Sequence, residues 1–402
     1  MSDATSGAGP ASAPLFAPQE LRRFLIGFIG LTMLSGMTIG MNKVLATMFG
    51  LHLGVTNFQL ALISSAETAA MALGTLPAGR ILARGNPKLL YAAISLTLSG
   101  LFCILPWLPG WQWVALLMFL VGLCIALRIV AMSTVFLVRL PELGQGKAGW
   151  YKGTLMLGIQ FAGPLTGNYV IARLGLTGGF YVSALMFAIL AILGWQVLPD
   201  HTGQRTQGKD AQASDWRALL RLPVVRTTYL FEVLASFTAS SVGVFSILLA
   251  IQVLHWPRDH AVWLMAVQGI SFVAVLLGLG NAVLGSPHRD RIYGGAHLAI
   301  IAALVLLGLY PTTASYLAAS SLLGFGLGVN ALVNTSRIAH APVDKARVSA
   351  HLTLLGMAAG TVGALAAGRL GDLVGLRNVF LLWTLPWLAA WLFYQLKQGE
   401  SQ

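Results

Sequence analysis

Long apolar runs alternate with short polar gaps from residue 24 to residue 396 of this 402-residue chain. The first six runs lie near 24–46, 58–79, 89–107, 111–138, 149–172 and 178–198. After a longer polar interruption from Pro199 to Pro223, six more lie near 224–252, 260–284, 293–310, 313–336, 348–369 and 376–396. A helix needs about 20 residues to cross a hydrocarbon core of roughly 30 Å, and each run is about that long. The pattern predicts an all-α membrane protein of twelve transmembrane helices in two six-helix bundles. The expected divisions are a cytoplasmic tail over 1–23, bundles over 24–198 and 224–396, a cytoplasmic linker over 199–223 and a tail over 397–402. Trp216–Leu222 in the linker reads as a short surface helix with Arg217 and Arg221 toward headgroups.

The basic residues orient these runs. Of 25 Lys and Arg, 19 fall in the even-numbered gaps and the tails; Arg173, Arg258, Arg369 and Arg377 alone occupy odd-numbered gaps. Cytoplasmic loops carry the Lys/Arg excess, so both termini are expected on the cytoplasmic side of an inner membrane. Residues 1–20, rich in Ala, Ser, Gly and Pro, read as a flexible tail, and the first run as an uncleaved anchor.

Composition narrows the function classes. The chain is 56% hydrophobic and 9% charged, with a mean hydropathy of +0.76, whereas soluble domains average roughly 25% charged residues. The net charge of +12 is scattered over short loops, which argues against a nucleic-acid surface and suits anionic lipid headgroups. Cys103 and Cys124 both sit in apolar runs and read as small buried hydrophobes, with no metal site or disulfide framework. No phosphate-binding glycine loop and no His-Glu-x-x-His pattern occurs, so neither ATP-driven transport nor zinc hydrolysis is expected. The expected classification is non-enzymatic, without catalytic residues, metal or cofactor.

The halves resemble each other at an offset of 200 residues: Gly163 with Gly363, Gly175 with Gly375, Leu176 with Leu376, Phe180 with Phe380, and Thr38 with Thr238. Paired halves mark secondary transporters, whose sites lie between the repeats near the midplane. Two local motifs add to this. Gly74–Lys88, with Gly79, Arg80 and Arg84, forms a Gly-rich basic loop after the second run. Gly163, Pro164 and Gly167 in the fifth run form a G-P-x-x-G core. There, small residues permit close helix packing and the proline frees a carbonyl and favours a bend, suiting a hinge or a seal between halves.

With these features the chain resembles the major facilitator superfamily from residue 22 to residue 397. The resemblance implies that fold, a gating role for both motifs, and a cavity lined by the first, fourth, seventh and tenth helices. The first motif departs from the family pattern, since Ala83 stands where an Asp is usual. The second is similar to a motif of proton-driven exporters, with Asn168 in place of its last glycine. Gly368–Phe380, by contrast, reads as the repeat of the corner between the fifth and sixth runs.

Ionisable residues inside the runs need an explanation, because burial in the bilayer is costly. Glu67, about nine residues into the second run, is expected as a proton-coupling site or as a carboxylate bonded to Ser64, Ser65 or Thr68. Arg128 in the fourth run has three readings: partner to an acid, ligand for an anionic substrate, or a charge tuning the proton site. Glu232 reads as a second proton site, as the counter-charge of Arg128, or as a group near the inner headgroups. Lys43 is expected to snorkel outward and His351 to sit at the inner gate. Among buried amides, Asn42, Gln160, Gln268, Asn330 and Asn334 recur, and Asn330 and Asn334 share one helix face. Arg128, Asn42, Gln160, Asn330 and Asn334 form the expected substrate-binding set.

These readings converge on a monomeric secondary transporter exchanging protons for a small amphiphilic molecule, anionic or zwitterionic, such as a drug or siderophore. An uptake symporter on the same fold, and more remotely a non-transporting assembly factor, are the alternatives.

Overall fold

The computed structural model describes residues 18–143, 150–200, 222–257, 260–340 and 345–399. Most of the N-terminal tail and linker, nearly all of the surface helix expected over 216–222, and Lys147 lie outside the described residues. All regular structure described is helical. The first half contains α1 (Pro18–His52), α2 (Asn57–Arg84), α3 (Pro87–Ile104), α4 (Trp111–Leu143), α5 (Trp150–Leu157) and α6 (Gly163–Val197). A π-helical turn, Gly158–Ala162, joins α5 to α6. The second half contains α7 (Pro223–Gln252), α8 (Trp263–Gly278), α9 (Gly280–Leu284), α10 (Arg289–Leu309), α11 (Thr313–His340), α12 (Lys345–Val374) and α13 (Leu376–Gly399). Nine helical segments among the described residues are long and apolar enough to cross a membrane, and α8 is a shorter apolar helix.

Glycine sets the corners. Gly175, inside α6, has φ +72°, and Gly375, between α12 and α13, has φ +83°. An L side chain is strained in that left-handed region, so glycine is the residue that turns the chain there. The two corners lie 200 residues apart, as the repeat predicts, and Phe180 and Phe380 are fully buried just beyond them.

Each half has its own apolar core. One is built from residues between Phe24 and Leu198, around Phe28, Phe102, Phe180 and Phe187. The other is built mainly from α7 to α13, around Phe231, Phe245, Phe380 and Trp387, and also takes in Val44, Met48, Leu60 and Ala61 from the first half. Equivalent helices cross in both. A Cβ on Gly158 would lie 2.6 Å from the Met33 carbonyl, and one on Gly163 would lie 2.8 Å from Gly40 Cα, so α1 and the π-turn segment touch backbone to backbone. In the second half a Cβ on Gly363 would collide with the Phe237 carbonyl of α7, and Ser241 donates to the Gly363 carbonyl at 2.8 Å. Lipid is as apolar as leucine, so such close packing and interhelical hydrogen bonds supply much of the association energy.

Among the described residues, two contacts between the halves are the most extensive. At one, α2 packs on α12, and the Asp372 carboxylate accepts from the Asn57 and Phe58 backbone N–H groups at 3.0 and 3.1 Å. Together with the Thr56 cap on Gln59 N–H, this satisfies three of the donors that the start of α2 leaves free. At the other, the π-turn packs on α8. Pro164 has no N–H to give the Gln160 carbonyl four residues earlier, and Gly163 N–H bonds instead to Gly158, five residues back. Gly269 of α8 lies so close to the Gln160 carbonyl that no Cβ would fit.

Candidate functional site

Between the halves lies a cavity of about 590 Å³, a size that suits a small organic molecule. The first half contributes Lys43, Thr68, Met156 and Gln160 to its wall. The second contributes Glu232, Ser236, Ser240 and Gly243 from α7, Gln268 from α8, Asn334, Thr335 and Ile338 from α11, and Leu352, Thr353, Gly356, Met357 and Gly360 from α12. The lining thus descends to the end of α11 and the start of α12. The cap made by Asp372 lies at the opposite end of α12, where α2 begins.

Glu67 stands just behind this wall, 6% exposed. Asn42 of α1 donates through Nδ2 to its Oε2 at 2.6 Å, and Lys43 is the next residue of α1. Of its expected hydroxyl partners, Ser65 bonds instead to the Leu62 carbonyl. Lys43 corrects the expectation of outward snorkelling: its side chain projects into the cavity, since α1 continues to His52 and leaves the lysine well short of the helix end. The lysine therefore touches the cavity and adjoins the asparagine that holds the buried carboxylate.

Arg128 is placed elsewhere. Its side chain, 2% exposed, is packed in the first-half core and does not line the cavity. The guanidinium donates at 2.9 Å to both the Ser35 and Tyr91 hydroxyls, which also bond each other at 2.8 Å. It lies over the rings of Tyr91 and Phe187, 5.0 and 5.1 Å from their centroids. Hydroxyls and aromatic faces, in place of the expected acid, are thus its partners among the described residues, and Glu232, on the cavity wall, is not its counter-charge.

Glu232 lines the cavity from α7. Its Oε2 accepts from Asn334 Nδ2 at 3.0 Å, and Asn334 Oδ1 accepts from the Tyr293 hydroxyl at 2.7 Å. Asn330 turns away from the cavity and meets His297 Nε2 at 3.2 Å, with the His297 ring stacked on Phe231 at 3.8 Å. One helix face therefore serves two ends: Asn334 faces the cavity and Asn330 a buried aromatic cluster. Gln160 and Gln268 both line the cavity, from opposite halves. Gly163, Pro164 and Gly167 form the α1 crossing, while His351 lies near the start of α12. Gly79, Arg80 and Arg84 fall in the last turns of α2, with side chains outside the described residues.

Tyr293, Tyr91 and Ser35 were not anticipated. An aromatic hydroxyl in an apolar run gives no sign in the sequence of which distant polar group it will meet. No group of three or more metal-ligating side chains occurs among the described residues.

Comparison with known proteins agrees with this architecture. The profile of the Major Facilitator Superfamily matches residues 28–352. The multidrug efflux pump Tap of Mycobacterium tuberculosis and its Mycobacterium bovis counterpart are 28% identical over 273 residues, 61% of this chain. The chain spans only 62% of the length of those relatives. The structure of a bacterial homologue of the human lysosomal transporter Spinster, inward-facing and occupied, superposes with a TM-score of 0.77 at 14% identity, covering 96% of this chain and 98% of that one. The nucleoside transporter NupG superposes with a TM-score of 0.74 at 14% identity, covering 92% and 98%. At such identities the likeness shows the fold alone. Taken with the profile match over most of its length, it leads to one conclusion: this multi-pass membrane protein belongs to the major facilitator superfamily of transporters.

Proposed function

We propose that the chain is a proton-coupled exporter of a small amphiphilic molecule, working as a monomer in the bacterial inner membrane. In this reading it crosses the membrane twelve times with both termini cytoplasmic, and its bundles, 24–198 and 224–396, rock about the cavity. The observation that carries the reading is the buried Glu67, bonded to Asn42, between two cavity-lining neighbours: Thr68, next to Glu67, and Lys43, next to Asn42. Glu67 is buried but one residue removed from Thr68 on the cavity wall, so a modest change of access lets it take or release a proton. Lys43 supplies the link: a molecule in the cavity that moves or screens its ammonium changes the field at Glu67, so occupancy and proton occupancy bear on one another. The partial relative Tap, a multidrug efflux pump, supports the outward direction.

The test is flux in inside-out vesicles under an imposed pH gradient, with a panel of cationic dyes, anionic drugs and siderophores. Wild-type vesicles accumulate a member of the panel, and Glu67→Gln lowers that accumulation at least tenfold with protein level unchanged. Accumulation that survives the substitution removes Glu67 from the coupling. Accumulation only in right-side-out vesicles establishes uptake instead.

A further inference from the structure

Glu232 is held in a more specific way than a wall carboxylate requires. The two ends of an asparagine amide have nearly the same shape, so its orientation beside a carboxylate depends on its second partner. Here that partner is the Tyr293 hydroxyl, donating to Asn334 Oδ1 at 2.7 Å while Nδ2 donates to Glu232 at 3.0 Å. Reversing the amide would set its carbonyl oxygen against the carboxylate. It would also leave the Tyr293 proton without an acceptor among the described residues. Burial makes both faults costly, since Tyr293 is fully buried.

Tyr293 itself has little freedom. Its ring meets Phe231 edge-on at 5.5 Å and His297 at 4.3 Å, and the Arg337 guanidinium lies 4.4 Å from its centroid. Arg337 is held in turn by Asp290 at 2.9 Å and by the Tyr394 hydroxyl at 2.7 Å. The aim of one phenol is thus fixed from several sides.

The consequence falls on the cavity. Asn334 occupies Glu232 Oε2, while Oε1 has no protein hydrogen bond among the described residues. An ionised carboxylate only accepts hydrogen bonds, and a donor carrying positive charge makes the strongest of them. We propose that Tyr293 is a positioning residue of the transport site: by orienting Asn334 it commits one oxygen of Glu232 to the protein and leaves the other for a protonated amine of the substrate. Lys43 reaches the same cavity from the first half, so Glu232 supplies the negative partner on the wall opposite the lysine. The proposal rests on the reading of this cavity as the transport site and narrows its substrate to amines.

The test uses the full chain in lipid nanodiscs and two probes of similar shape, 9-aminoacridine, a cation at pH 7, and acridine, neutral at pH 7. Binding is read by fluorescence polarisation against empty nanodiscs. Wild type binds the cation more tightly than the neutral probe. Glu232→Gln abolishes that preference. Tyr293→Phe, which keeps the ring packing, weakens 9-aminoacridine binding roughly five- to tenfold, leaves acridine unchanged, and has no further effect when added to Glu232→Gln. Should Tyr293→Phe fold poorly, Asn334→Leu is expected to produce the same selective loss. No preference for the cation in wild type overturns the substrate class. Unchanged binding in Glu232→Gln overturns the cavity reading on which the proposal rests. A loss in Glu232→Gln with none in Tyr293→Phe or Asn334→Leu overturns the positioning role.

Discussion

A guanidinium enclosed within one half of a membrane protein has to find its hydrogen bonds among neutral groups when no carboxylate pairs with it, and among the described residues Arg128 does so. Two hydroxyls and two aromatic faces hold it, and its Nε has no partner among the described residues. Arg128→Ala therefore removes a large packed side chain and leaves the Ser35–Tyr91 pair short of a donor. The expected cost is about 2–4 kcal/mol, read as a lower midpoint of thermal unfolding in detergent, with the KM of the folded fraction near wild type. A large rise in KM without loss of stability would instead return Arg128 to the substrate path. Lys43 is the opposite case. It was legible as a charge inside a run, but whether its stem reaches headgroups or a cavity depends on what packs around α1, which a single sequence does not state.

Among the elements, the crossing of α1 with the π-turn and α6 rests on close backbone contact at four glycines. Gly36, Gly40, Gly158 and Gly163 interdigitate there, and a Cβ at Gly158 would sit 2.6 Å from one backbone oxygen and 2.7 Å from a backbone nitrogen. Backbone cannot turn aside as a side chain can. Gly158→Ala should therefore destabilise the protein by about 1–3 kcal/mol. Gly30→Ala on the same helix α1 meets nothing within 4 Å and should be neutral or stabilising. Comparing the two unfolding midpoints separates steric crowding from mere loss of a glycine; equal shifts would refute the crowding account. The G-P-x-x-G motif announced a close contact and a bend at this place. It did not announce that the released Gln160 carbonyl would meet Gly269 of the other half, because that glycine stands more than a hundred residues away in sequence.

At the scale of the whole molecule, the two halves meet where α2 begins and α12 ends, while the cavity descends toward the opposite end of α12. Rocking of the halves requires the α2–α12 contact to open. A Cβ built on Gly371 lies 3.8 Å from Asn57 Cβ, which is the spacing a disulfide needs. In a background with Cys103 and Cys124 changed to serine, the pair Asn57→Cys and Gly371→Cys should crosslink readily, abolish flux under oxidation and regain it on reduction. Full flux with the crosslink formed would show that this contact stays closed during transport. The Asp372 cap at the same contact contributes about 1 kcal/mol as a helix cap, so its loss should favour the open form without unfolding the chain.

The helical class, the multi-pass apolar pattern and the glycine corners 200 residues apart followed from sequence alone, because they rest on period, length and backbone sterics, which are local. The fates of the charged and amide residues did not. Lys43 and Arg128 are both cations inside apolar runs, yet one faces the cavity and the other is enclosed by Ser35, Tyr91 and Phe187. Asn330 and Asn334 share a helix face, yet His297 takes the first while Glu232 and Tyr293 take the second. Such outcomes turn on which distant helices are brought against which face. Desolvation requires that a buried polar group find a partner, but only tertiary packing decides which partner that is.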